Sequence, residues 1–192
     1  MNDRPAQEAR LVAALGDSPR LMTVLRTVRA AGLAQWRLTA GAIYGTLWNA
    51  LTGRPPDHGI KDYDVAYWDA DTGWDAEDAA IRKVAALAPA PLKPLIEVRN
   101  QARVPLWFEA KFGAPYPPLA HVDEAVERYL FVSDCLGVRL EADDRIDVLA
   151  PFGLDDVFAM RLRPNPARGE TPNRAAKAAA MRARWPELTL EF

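Results

Sequence analysis

Between Lys61 and Trp68 the chain reads KDYDVAYW, and few other stretches narrow its fold as much. Aromatic and β-branched residues recur at every second position, which is the period of a β-strand. On such a strand Tyr63, Val65 and Tyr67 point to one side, while Asp62, Asp64 and Ala66 point to the other. A buried strand normally avoids carboxylates, because taking an unpaired charge out of water is costly. The stretch therefore predicts a strand with one face in the core and one charged face that binds something. From a rise of about 3.3 Å per residue, the Cα atoms of Asp62 and Asp64 would lie about 6–7 Å apart, close enough to grip one hard cation. Mg²⁺ suits such a pair, since it takes a few carboxylates and completes its shell with water and phosphate oxygens.

Around this strand, periodicity and punctuation lay out the other elements. Ser18 and Pro19 open a helix in which Leu21, Met22, Leu25 and Val28 recur at helical spacing until Gly32 closes it. WRLT reads as a short strand. Gly41 opens a second helix, with Ile43, Leu47 and Leu51 as an i, i+4, i+8 stripe and Gly53 as its stop, and RPPDHG is a loop. WDAEDAAIRKVAALA reads as a third helix, and PLIEVRNQARVPLWF as one extended strand run centred on Val98. CLGVRLEADDRIDVLAP predicts a hairpin turning at Ala142 to Asp144, GLDDVFAMRL a short helix, and KAAAMRARW a helix in the tail. Helices alternating with strands argue for an α+β, α/β-like fold: a mixed sheet packed by helices, with an added C-terminal hairpin and helical tail. One domain is expected over residues 1–168, with 169–192 as a tail packed on it.

Composition excludes several classes. The 192 residues are 49% hydrophobic and 26% charged, which is ordinary for a globular domain and unlike a disordered chain. A formal net charge of −2 supplies no global basic field, so long nucleic acid is not the default partner. Cys135 is the single cysteine, which leaves no intramolecular disulfide and no cysteine-rich zinc site. The opening MNDRPAQEAR carries charges where a secretory leader needs an apolar run, and no apolar run is long enough to span a membrane. A cytoplasmic setting is the expectation.

The helix that opens at Gly41 supplies a second half to the site. Its unpaired amides and the positive end of its dipole favour a phosphate, and a residue without Cβ lets that phosphate approach closely. A phosphate held there complements a cation held by Asp62 and Asp64.

Taken together, Thr39 to Asp71 resembles the signature of the polymerase-β-like nucleotidyltransferase superfamily: a glycine and a small residue opening a helix, an Asp-x-Asp strand, and a third acid on a neighbouring strand. GAIYGTLWNALTG, KDYDVAYWD, EVRNQARV, KFG-PY, APFGLDDVF and RPNP further resemble, in order over residues 20–168, a family of bacterial proteins described as nucleotidyltransferase-like. The resemblance implies that Gly41 and Ala42 contact nucleotide phosphates, Ala42 standing where catalytic members commonly have Gly or Ser. Asp62 and Asp64 match the metal-binding pair. Glu97 is the candidate third acid, with Glu109 on the same predicted run as the alternative. Pro105 stands where the family carries His. The implied reaction is Mg²⁺- or Mn²⁺-dependent transfer of AMP or another nucleoside monophosphate from a nucleoside triphosphate to a hydroxyl of a small molecule, nucleic acid or protein. A non-catalytic relative that binds nucleotide or a partner is the alternative.

By the two-residue count, Arg99 and Arg103 share the predicted strand face of Glu97 and can reach phosphate oxygens, whereas Arg37 and Lys61 flank the site in sequence. Other conspicuous residues have plainer readings. His58 reads as a loop residue, His121 as a surface or capping residue and Cys135 as a small buried apolar group. Trp48, Tyr63, Tyr67, Trp107 and Phe108 read as core, and Asp155 and Asp156 as first-turn helix acids.

Overall fold

The computed structural model describes residues 3–169, 171 and 173–192. Helix α1 (Arg4–Gly16), which the sequence reading does not anticipate, carries Pro5 in its first turn and buries Leu11 and Leu15. Helix α2 (Pro19–Ala31) begins as expected: the Ser18 hydroxyl accepts from the Leu21 amide, and Gly32 ends it in the left-handed conformation. The chain continues through β1 (Arg37–Thr39), α3 (Gly41–Leu51), β2 (Tyr63–Tyr67), α4 (Trp74–Leu87) and β3 (Ile96–Asn100). After β3 come α5 (Pro105–Phe112), α6 (Val122–Val126), the hairpin β4 (Gly137–Leu140) and β5 (Ile146–Leu149), and the short α7 (Asp155–Phe158). Strand β6 (Arg161–Leu162), α8 (Arg174–Arg182) and β7 (Thr189–Leu190) follow.

Five strands form a mixed sheet in the order β3-β2-β1-β4-β5, and β6 pairs with β7 in a small parallel ribbon. In the main sheet β2 and β3 run parallel, and the remaining neighbours run antiparallel. The hairpin predicted near the C-terminus is thus not an appendage but two strands of this sheet. Leu38, Tyr63, Val65, Tyr67, Val98 and Val138 are buried in the main core. Helices α2 and α4 pack against these strands and each other. The alternation in KDYDVAYW therefore does what its period predicts.

One element departs from expectation. The strand run expected from Pro94 to Phe108 ends at Asn100, and the chain turns through a 3-10 segment, Gln101–Arg103, into α5. The Asn100 side chain makes the turn: its Oδ1 accepts from the amides of Ala102 and Asp69, both at 3.1 Å, and its Nδ2 donates to the carbonyls of Asp69 and Asp71. Pro105 then sits in the first turn of α5, where its missing N–H removes nothing the helix needs.

Candidate active site

The charged face of the sheet is set by register. Asp64 on β2 lies opposite Thr39 of β1 and opposite Glu97 of the parallel edge strand β3. Laterally paired residues share a face, so Asp64 and Glu97 project to the same side, and Arg99 follows Glu97 on that face, opposite Ala66. Asp62 lies one residue before β2 begins. Further along the face, Arg37 donates to Asp123 of α6 at 2.8 Å and also pairs with Asp147 of β5, which uses up that guanidinium structurally.

The surroundings of Asp64 disfavour its charge. Burial, followed by the charges of Asp62 and Glu97, pushes its carboxyl up from the ordinary range to about 6, against the opposing pull of Lys177 and Arg99. Two like charges and partial desolvation make a second positive charge welcome there. The chemistry of these groups suits a divalent cation: hard oxygen ligands whose mutual repulsion a cation would relieve. Among the described residues no group of three or more His, Cys, Asp or Glu is arranged to hold a metal by itself. A site completed by water and phosphate oxygens needs no such cage.

The amino end of α3 flanks the acids. Ala40, between β1 and α3, adopts φ 48° and ψ −107°, an uncommon conformation for a residue with a side chain, which turns the strand abruptly into the helix. Its carbonyl accepts the amides of Ile43 and Tyr44. The amides of Gly41 and Ala42 make no bond within the described residues. A Cβ built on Gly41 would meet only the Tyr44 hydroxyl, 3.8 Å away, so the backbone here is open to an incoming group. The Ala42 side chain is buried, so this residue offers an amide and no side-chain contact.

The two arginines expected to flank Glu97 part company. Arg99 is exposed on β3, with Nη2 3.7 Å from Glu97. Arg103 sits on the 3-10 turn and not on the strand: it is buried, pairs with Glu77 at 3.0 Å, donates to the Thr72 carbonyl and lies over the Trp74 ring. The expectation that Arg103 shares the face of Glu97 is thereby corrected. Glu109 is exposed on α5 and off the strand, which removes the premise for its candidacy as third acid. His58 lies near the Arg184 carbonyl, and His121 caps α6 through Nδ1. Trp107, read as core, is instead substantially exposed on α5, at 40%.

Several residues enter the site that the sequence reading did not single out. Thr39 donates to the Asp64 carbonyl, and the Tyr129 hydroxyl donates to Thr39 Oγ1 at 2.8 Å. Asp134, fully buried just before β4, accepts from Lys177 Nζ of α8 at 2.7 Å, while its Oδ1 has no partner among the described residues. Burial raises the Asp134 carboxyl in spite of that lysine. Burial, then the charge of Asp134, raises Tyr44. The one available signal was an acid inside the apolar stretch FVSDCLG; the lysine that answers it lies 43 residues away.

A mixed sheet with acids on two adjacent strands, beside a helix whose open amino end follows a glycine, places the molecule among the polymerase-β-like nucleotidyltransferase folds. A sequence profile for a family described as Nucleotidyltransferase matches residues 26–190, and the chain belongs to that family. Among solved structures it is similar to an NMR structure described as revealing a CCA-adding enzyme head domain, with a TM-score of 0.75, 22% identity and 94% of each chain covered. At that identity the likeness is one of fold. No curated protein matches the chain. Among the described residues no helix is long and apolar enough to cross a membrane.

Proposed function

We propose that the protein transfers a nucleoside monophosphate from a nucleoside triphosphate to a hydroxyl acceptor, with Mg²⁺ or Mn²⁺ held by Asp62, Asp64 and Glu97. The observation that carries this reading is the pairing of Asp64 with Glu97 across adjacent strands, two residues from Asp62 and beside the open amino end of α3, where burial and then the two neighbouring acids lift the Asp64 carboxyl to about 6. A divalent cation there would neutralise triphosphate charge and favour departure of pyrophosphate. The amides of Gly41 and Ala42 would orient the phosphates, and Arg99 would meet their oxygens. The acceptor oxygen forms the new bond to the α-phosphorus. The bond from that phosphorus to the bridging oxygen breaks, and pyrophosphate leaves with its electron pair. The hydroxyl proton would pass to a carboxylate of the site, a role we assign to Glu97. Positioning and electrostatics would supply most of the rate. A binding-only relative is the second reading, favoured by the contact of Arg99 with Glu97, which gives that acid a structural partner.

The test is incubation with Mg²⁺, α-labelled nucleoside triphosphates and a cell extract as acceptor pool. Label transfer with pyrophosphate release is expected, falling by about 10²-fold or more in Asp62→Asn, which removes a ligand charge at nearly constant size. Gly41→Val should weaken triphosphate binding with the thermal midpoint unchanged, because a Cβ at that position meets no close neighbour. Nucleotide binding without pyrophosphate release above the Asp62→Asn background would replace the catalytic reading with the binding one.

A further inference from the structure

A recess opens beside Arg99. It holds about 270 Å³ and is lined by Arg99, Arg128 and Arg168 together with Trp107, Phe108 and Tyr116. Two features tie it to the site. Arg99 belongs to both, since it lines the recess while standing two residues beyond Glu97 on the same strand face. Tyr129 also lines the recess, and its hydroxyl bonds Thr39, which in turn bonds the Asp64 carbonyl.

The chemistry of the lining is unusual for so small a space. Arg128 lies over the Tyr116 ring at 4.8 Å and donates to the Pro117 carbonyl; Arg168 lies over the Phe108 ring at 4.7 Å. Neither guanidinium pairs with a carboxylate among the described residues, and the buried Arg168 Nε finds no hydrogen-bond partner there. Burial, and secondarily the charge of Arg128, lowers the proton affinity of Arg168. Arg128 and Arg168 are held in place by aromatic faces, with no carboxylate partner among the described residues, and an anion entering between them would relieve their repulsion.

We propose that this recess is the acceptor subsite, and that the acceptor is a small molecule carrying a phosphate or carboxylate beside a flat, ring-bearing body. The assignment rests on the nucleotidyl-transfer reading and names its substrate class. A triphosphate is already provided for at the amino end of α3 and the three acids, and a neutral base has no use for three guanidiniums. The volume suits one ring and one anionic group. With a chain net charge of −2, the cationic character is local, which favours a compact anion over a long polyanion. An acceptor anchored by Arg128 and Arg168 would share Arg99 with the acids, since that guanidinium lines the recess and stands 3.7 Å from Glu97.

Phenyl phosphate, benzoate and inorganic phosphate serve as probes, titrated by calorimetry into the full chain and into the double variant Arg128→Gln/Arg168→Gln. Phenyl phosphate should bind about tenfold more tightly than inorganic phosphate, and the double variant should lose about tenfold or more of that affinity. Affinity for Mg²⁺-nucleoside triphosphate should stay within about twofold. Benzoate binding close to that of phenyl phosphate would identify a carboxylate acceptor, and much weaker binding a phosphate one. Should the double variant fail to fold, Arg128→Lys/Arg168→Lys keeps the charge and loses the forked geometry, and an intermediate loss is expected. No phenyl phosphate binding, or equal binding in wild type and variants, overturns the proposal, as does a parallel loss of triphosphate affinity, which would make the recess part of the nucleotide site. Arginine-dependent phenyl phosphate binding by a protein that binds no triphosphate would overturn the transfer reading instead, leaving an anion site that accepts nothing.

Discussion

Asp64, an acid of the proposed site, is a cost to the fold. Its carboxyl is lifted from 3.8 to about 6 by burial and by Asp62 and Glu97, so the folded chain binds this proton more tightly than the unfolded chain does. The sign follows: the cost is absent below about pH 4, where both states are protonated, grows as pH rises, and is complete above about pH 6. Asp64→Asn should therefore stabilise the protein by about 1–3 kcal/mol at pH 7.5 and not at all at pH 3.5, while abolishing metal-dependent nucleotide binding. Paired thermal melts at the two pH values check this; an equal effect at both would mean that Asp64 bears no such strain. Much at this scale was legible in advance. Asp62 and Asp64 announce themselves because carboxylates interrupt an otherwise apolar period, and Glu97 falls opposite Asp64 in register. Arg103 misled, because residues two apart share a face only while the strand continues, and its partner Glu77 lies on a helix whose packing no local pattern records.

At the scale of elements, the strand boundary at Asn100 shows where local reading fails. Val104, Trp107 and Phe108 suit a strand as well as a helix, and the choice is made by four hydrogen bonds from one amide side chain, two of them to carbonyls about thirty positions earlier. The same holds for α8. Its alanine-rich sequence is plainly helical, yet its contribution is Lys177, delivered to Asp134 and within electrical reach of Asp64. Lys177→Met should destabilise the fold by about 2–4 kcal/mol, because it strands a buried carboxylate. Lys177→Met combined with Asp134→Asn should recover much of the loss. Chemical denaturation of the two variants decides the matter, and no recovery in the double variant would mean that Lys177 acts through packing alone.

At the scale of the molecule, residues beyond 168 are woven into the core. Trp185 is fully buried, packs its ring edge-on to Trp48 at 5.2 Å and donates its indole N–H to Asn49. It comes so close to α3 that a Cβ on Gly45 would stand 3.3 Å from its ring, which is why a glycine serves there. The main sheet and its helices could be anticipated from alternating periods, whereas nothing local in RARWPEL says which helix Trp185 will meet. We propose that 169–192 is integral to the domain. Trp185→Ala should cost about 3–5 kcal/mol, and a chain stopped at residue 168 should fail to give a cooperative thermal transition. A truncated chain that melts sharply near the wild-type temperature would show the tail to be dispensable.

The seat of Trp185 against α3 also bears on how the molecule comes into being. Synthesis proceeds from the amino terminus, so α3 and the acids of β2 and β3 leave the ribosome long before the tryptophan that wedges against Gly45 or the lysine that answers Asp134. Until these residues emerge, α3 lacks the ring that packs against Gly45 and Asp134 lacks the Lys177 ammonium. On the proposed transfer reading, a nascent chain would be held silent by its own incompleteness, and competence would arrive at one late moment in its manufacture.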